Sequence, residues 1–375
     1  MTERHRALQI LRRIERESAF AAPLLRHETP FVRALALGVL RWRSRLDFVV
    51  SSFAPRRIDA DLLDILRIGA YQLLFMDVAK YAAVAETVEL APLRTRGFVN
   101  AILRKVSAGN VPEPRDLATR TAHPPWLIDR WIRTYGEERA ERIAVANQEL
   151  SFPDIFTDSP PPGATPSRLV PGMWKLTGSS AELEGTVLDE GSAVIAGIAA
   201  ATSHDILDLA AAPGGKTLVM SARGASVVSN DISLRRLMPI AGRARKIVVS
   251  DGRLPPFRRR FTTVLLDAPC SATGTIRKNP ELKWRLRESD LPSFAALQRE
   301  LLASACAMAS ETVVYSTCSL EREENDDVIA ACGFVRDDVG RFVNDEVRRW
   351  VDDGVLRLTP ESGADGFTAF VVRRG

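Results

Sequence analysis

From Leu188 to the carboxyl end, short β-branched runs alternate with helical stretches, and this alternation restricts the fold more than any other feature. The runs are Ile206-Leu207, Val227-Val228, Ile247-Val248-Val249, Val264-Leu265-Leu266, Val313-Val314 and Phe370-Val371-Val372. Strand and helix in turn predict an α/β doubly wound, mostly parallel sheet.

The first 150 residues follow a different rule. Ala7-Leu8, Leu11 and Ile14 recur at helical spacing, as do Val32, Leu35-Ala36 and Val39-Leu40, then Leu62-Leu63, Leu66, Ala70 and Leu73-Leu74. Pro23, Pro30, Pro55 and Pro92 divide this region into short helices, which predicts an all-α helical bundle. Trp42, Phe48, Phe53, Tyr71 and Phe75 are its expected core aromatics. A further helix is expected from Trp126 to Glu149. After it, 151–185, rich in Pro, Gly, Ser and Thr, reads as a connector with a strand or two. Three regions result: a helical domain over 1–125, a linking helix and connector over 126–187, and an α/β domain over 188–375.

Charge divides along the same line. Residues 1–150 hold 24 Lys and Arg against 18 Asp and Glu, whereas 151–375 hold 27 against 29. A basic amino-terminal half suits a polyanion, and equally a solvated Arg-rich helical surface. The four cysteines (Cys270, Cys306, Cys318, Cys332) include no C-x-x-C pair, so neither a disulfide framework nor a metal site is expected. No signal peptide or membrane span is expected either, which predicts a cytoplasmic protein with free thiols.

Chemistry concentrates where strands end. Asp205 to Leu209 runs into Ala210-Ala211-Ala212-Pro213-Gly214-Gly215-Lys216-Thr217. In an open α/β sheet, ligands bind beyond such carboxyl ends. Gly215-Lys216-Thr217 matches the end of a Walker loop, but Ala210 stands where that motif requires glycine, and G-x-G-x-x-G is absent. Asp231 closes the second strand, where a carboxylate can accept ribose hydroxyls, and Asp251 closes the third. The implied ligand is a nucleoside with an amino-acid-like tail.

Two thiols also follow strands: Cys270 in Asp267-Ala268-Pro269-Cys270-Ser271-Ala272-Thr273-Gly274, and Cys318 in Ser316-Thr317-Cys318-Ser319. A thiolate adding to carbon 6 of a pyrimidine makes carbon 5 nucleophilic enough to take a methyl group, and β-elimination then frees the enzyme. One thiol serves as nucleophile and a second assists proton movement and release. Asp267 is placed to hydrogen-bond the cytosine amino group and N3. Chemistry alone leaves open which thiol attacks. Cys306 and Cys332 lie outside any motif and read as small apolar side chains.

The segments 208–217, 265–274 and 315–319 resemble the three signature motifs of the Sun/RsmB family of RNA cytosine carbon-5 methyltransferases. The resemblance continues in Asn279-Pro280-Glu281-Leu282-Lys283-Trp284, Glu323-Glu324-Asn325 and Gly366-Phe367, and so spans about 188–375. Leu37 to Arg41, Gly97 to Arg104 and His123 to Leu127 look like the NusB-like RNA-binding domain of that family. The resemblance implies a Rossmann-like methyltransferase domain that uses S-adenosyl-L-methionine. It makes Cys318 the nucleophile, Cys270 the thiol that assists release, and Ala210 to Lys216, Asp231, Asp251 and Asp267 the cofactor contacts. The implied partner is RNA, with small-subunit (16S) ribosomal RNA expected, and the protein a monomer without metal. A tRNA target and a non-catalytic RNA-binding assembly factor are the alternatives. The chain departs from the family at Ala210, often cysteine there, in a short stretch before Leu188 with Phe152 to Phe156 replacing an Arg- and Asn-containing strand, and in Asp189 to Ser192, which lacks a nearby glutamine. The basic segment Ile276 to Lys278, Lys283 to Arg285 and Arg287 reads either as a phosphate track or as a solvated helix with a core Trp284.

Overall fold

The computed structural model describes residues 2–177 and 184–375, so part of the expected connector, 178–183, lies outside the described residues. The chain forms two compact units: Met1–Glu149 with Ile276–Glu288, and Leu150–Thr275 with Ser289–Gly375. The expected middle region is therefore divided. Its helices belong to the first unit and its strands to the second.

The first unit is helical. α1 (Glu3–Arg16), α2 (Pro30–Ser52), α3 (Ala60–Phe75) and α4 (Arg96–Ser107) bury Ile10, Leu35, Leu46, Ile65, Ile68 and Leu103 in one core. The Thr29 side chain caps α2 and Pro30 occupies its first turn, where the missing N–H is harmless. Tyr71 is buried, whereas Phe75, at the last turn of α3, remains half exposed and stacks on Trp42 at 4.6 Å. α2 and α3 approach so closely that a Cβ on Gly38 would lie 1.9 Å from the Tyr71 ring.

The segment 276–288 corrects the reading of its basic residues. Arg277 and Lys283 are buried rather than solvated. Lys283 Nζ donates to the carbonyls of Arg41 (2.9 Å) and Ala122 (2.7 Å), and Trp284 Nε1 donates to Leu40 O at 2.7 Å. Burial, reinforced by the like charge of Arg41, pushes the Lys283 ammonium well below its ordinary pKa. Arg277 and Lys283 are therefore not available as a phosphate track.

The second unit is built on a nine-stranded sheet. β1 (Asp205–Asp208), β2 (Ser226–Asp231), β3 (Lys246–Val249), β4 (Phe261–Asp267) and β5 (Ala309–Thr317) run parallel in the order β3-β2-β1-β4-β5. β6 (Val335–Asp337), β7 (Val351–Asp352), β8 (Val355–Leu358) and β9 (Phe367–Arg373) extend it antiparallel from β5. Successive residues face opposite layers. Val314 and Val371 pack with α5 (Glu190–Thr202) and α6 (Gly215–Ala222) on one side, Val313 and Val372 with α7 (Leu291–Met308) on the other. This is the doubly wound arrangement expected from the alternation. The strand order reverses between β1 and β4, and a crevice opens at their carboxyl ends. Among its described residues the connector holds four short strands, at 154–156, 165–166, 173–175 and 186–187, in a separate antiparallel sheet. Pairs of two or three residues carry no period that sequence reasoning can detect.

Gly38→Ala should destabilise the first unit by about 1–3 kcal/mol, although alanine is the better helix former by ~1 kcal/mol. Urea unfolding checks this, and Tyr71→Leu in the same chain should recover part of the loss.

Candidate active site

The expected cofactor contacts and both thiols each line one of two cavities in the second unit. A cavity of ≈ 630 Å³ has Asp231, Asp251, Cys270 and Cys318 in its wall, and one of ≈ 470 Å³ has Ala211, Pro213, Gly214, Gly215 and Lys216. Ala210, Ala212 and Asp267 line both, so the 210–216 loop is the ridge between them.

The loop is positioned by its neighbours. Ala211 N donates to Asn230 O at 2.8 Å, and Asn230 Nδ2 donates to Leu209 O at 3.0 Å. Gly214 has φ +99°, and a Cβ there would lie 2.3 Å from Ile240. Only glycine fits both restrictions. Asp231 accepts from Ala212 N (3.1 Å) and Ser233 N (2.9 Å), one bond to each oxygen, which leaves acceptor capacity facing the cavity. The Asp251 carboxylate is held by the Arg253 guanidinium at 2.7–3.1 Å, a partner sequence reasoning did not anticipate.

Asp267 joins the two cavities chemically. Its Oδ2 accepts from Lys216 Nζ at 2.6 Å and its Oδ1 from Ser316 Oγ at 2.8 Å. Lys216 Nζ also reaches Ser192 Oγ at 3.2 Å, which brings the Asp189-Glu190-Gly191-Ser192 segment into the wall. Burial alone lowers the Lys216 pKa, but the charge and hydrogen bond of Asp267, with Cys318 and Asp208, outweigh it and leave the ammonium raised. Asp208 is buried, and Thr217 Oγ1 donates to its Oδ2 at 2.7 Å. Its Oδ1 has no partner. Burial pushes this carboxyl up to about 7.

The two sulfurs of Cys270 and Cys318 stand 3.3 Å apart. Their loops are locked by a residue that sequence reasoning quoted without giving it a role. Glu324 is fully buried and accepts from Ser271 N (2.8 Å), Gln298 Nε2 (3.0 Å), Ser319 Oγ (2.5 Å) and Ser271 Oγ. Asn325 Nδ2 donates to the carbonyls of Ser319 (3.0 Å) and Glu321 (2.8 Å), tightening the second loop. Gly274 N donates to Cys318 O at 2.9 Å, and a Cβ at Gly274 would lie 2.4 Å from Gly366 O. Cys270 is pushed well up, first by its hydrogen bond to Cys318, then by burial, by the Cys318 charge and by Glu324. Among the described residues no cluster of three or more metal-ligating side chains occurs, and no helix is long and apolar enough to cross a membrane.

A family model described as 16S rRNA methyltransferase RsmB/F matches residues 197–369, and the NusB family model matches 1–108. A ribosomal RNA small subunit methyltransferase B from Shigella flexneri is 31% identical over 358 residues, covering 80% of each chain. A crystallised protein, PH0851, superposes with a TM-score of 0.77 at 22% identity, covering 100% of this chain and 99% of its own. NSun6 from Pyrococcus horikoshii, solved with SFG, gives 0.57 at 18% identity over 67% of this chain and 98% of its own. Both structures share the fold.

Two outcomes follow. Glu324→Ala should strand the buried donors of Ser271, Ser319 and Gln298 and cost about 3–5 kcal/mol, read by urea unfolding. Because native Asp208 keeps its proton to about pH 7 while an unfolded aspartate loses it near 3.8, its contribution to stability is present below pH 4 and lost as pH rises toward 7. Wild type minus Asp208→Asn, measured across that range, should show this slope.

Proposed function

The chain belongs to the RsmB/F family of 16S rRNA methyltransferases, and on that footing we propose that it methylates carbon 5 of a cytosine in RNA, through a cysteine adduct at carbon 6, with small-subunit ribosomal RNA as substrate. The observation that carries this reading is the contact between two strand-end thiols beside a buried lysine–aspartate pair.

The residues present fit S-adenosyl-L-methionine. The 210–216 ridge has small side chains and Gly214 where a Cβ would clash, Asp231 has acceptor capacity for ribose hydroxyls, and Asp208 offers a buried, unpartnered oxygen. Ala210 to Lys216, Asp231, Asp251 and Asp267 would hold it, with the Asp251 carboxylate also engaged by Arg253. When bound, the cofactor supplies the electrophilic methyl that an activated carbon 5 accepts.

Cys318 is the nucleophile and Cys270 assists release. Cys270 holds its proton and donates toward Cys318, while the Lys216 cation interacts favourably with a Cys318 thiolate. Addition of that thiolate to carbon 6 places negative charge on the ring, and Asp267, steadied by Lys216 and Ser316, is the group to engage the cytosine amino edge. In release the carbon-5 proton passes to water, the electrons of the C–H bond form the 5,6 double bond, and the C6–S bond breaks; Cys270, 3.3 Å away, protonates the departing Cys318 sulfur and is itself reprotonated from water. The target base must leave its stack first, since a thiol cannot reach carbon 6 inside a helix. We place the protein in the cytoplasm, acting as a monomer.

Methyl transfer from labelled cofactor should occur to unmodified small-subunit ribosomal RNA and not to tRNA. Transfer to tRNA alone would replace the substrate, and binding of RNA and cofactor without transfer would leave a non-catalytic factor. Cys318→Ala should abolish turnover with cofactor binding intact, and residual methylation would reject it as nucleophile. Cys270→Ala should accumulate protein crosslinked to RNA on denaturing gels. Accumulation in the Cys318 variant instead would exchange the two roles.

A further inference from the structure

We propose that Cys306 and Cys332 form a second dithiol site, apart from the active site, which a hydroperoxide oxidises reversibly to an intrachain disulfide. Their sulfurs lie 3.5 Å apart although the residues are 26 positions apart in sequence. Both are free thiols and keep part of their surface in solvent, at the rim of the core beside Met308 and Phe334. A disulfide bond is about 2.05 Å, so the sulfurs need approach by only ~1.5 Å, within reach of side-chain rotation.

The two thiol pairs are separated by a strand. Cys306 precedes β5 and Cys318 follows it, and a strand of nine residues spans about 30 Å. Nothing in the proposed methyl transfer uses the Cys306 pair.

Its two members differ in chemistry. Cys306 donates its S–H toward Cys332, which draws the Cys332 thiol down to about 6 and pushes Cys306 up. The Arg374 guanidinium, donating to Cys306 O (2.9 Å) and Ala309 O (3.0 Å), offsets part of the rise at Cys306. Cys332 is accordingly the attacking thiolate.

In the first step the Cys332 sulfur attacks one peroxide oxygen, the O–O bond breaks, and hydroxide leaves to be protonated to water. Cys332 is then a sulfenic acid. In the second step the Cys306 sulfur attacks the Cys332 sulfur, the S–O bond breaks, and a second water leaves with the Cys306 proton. Two thiols lose two electrons in total and hydrogen peroxide is reduced to two waters. The product would tie α7, which carries Gln298, to the turn following Asp326–Ile329, directly after Glu324 and Asn325.

The full chain, treated with hydrogen peroxide, blocked with N-ethylmaleimide and digested without reductant, should yield Cys306 and Cys332 peptides joined and two hydrogens lighter. Dithiothreitol should separate them. In Cys306→Ser, dimedone should label Cys332, because the resolving thiol is gone. Recovery of both cysteines as maleimide adducts, at peroxide that fully oxidises glutathione in the same tube, would overturn the proposal. Should the serine variant fail to fold, the wild-type peptide map decides by itself.

Discussion

A buried carboxylate with four donors around it holds the site together. Glu324 joins the loop after β4 to the loop after β5 through Ser271 and Ser319, and fastens both to α7 through Gln298. An ion in such a place is tolerated only when its lone pairs are filled, and here Oε1 and Oε2 each receive two bonds. The same bonds satisfy an N–H and two hydroxyls that the tight loops would otherwise bury unpaired. The closeness of the Cys270 and Cys318 sulfurs is therefore a consequence of the loop framework and does not depend on any attraction between the sulfurs. Gly274 completes the framework by letting the first loop touch the carbonyls of Cys318 and Gly366.

On the other side of the thiols the electrostatic balance is left incomplete. Lys216 is the central cation among Asp208, Asp231 and Asp267, and it is committed to Asp267. Asp231 is steadied by backbone N–H groups, whereas Asp208 has only Thr217, so it is the member that burial drives to hold a proton. The unpartnered Oδ1 of Asp208 and the remaining acceptor capacity of Asp231 are what this wall offers a ligand. The small side chains of the loop and the acceptors of Asp231 suit a ligand that brings hydroxyls to this edge.

Much of this was legible in the sequence for a simple reason. A parallel sheet delivers its chemistry at strand ends, and β-branched runs mark where strands end, so Asp231, Asp267, Cys270 and Cys318 could be assigned to one edge before any coordinates. Contacts made across long sequence separations were not legible. Glu324 carries no signal that it will meet Ser271 fifty-three positions earlier. Lys283 and Arg277 look solvated in sequence because charged residues usually are, yet the carbonyls of Ala122 and Arg41 lie where the Lys283 ammonium is buried. Cys306 and Cys332 likewise read as two unrelated apolar positions, since nothing local brings the end of α7 to the turn after Ile329.

Two cysteines at two strand ends are equivalent on paper, and their surroundings make them unequal. Cys270 donates to Cys318, is enclosed, and has the carboxylate of Glu324 nearby, and each of these disfavours its thiolate. Cys318 lies in electrostatic range of the Lys216 ammonium. A sulfur that must attack needs to lose its proton cheaply, and a sulfur that must help a neighbour depart needs a proton to give. The proposed division of labour therefore needs no special catalytic device. It matches the placement of one thiol beside the Glu324 hub and of the other in range of Lys216.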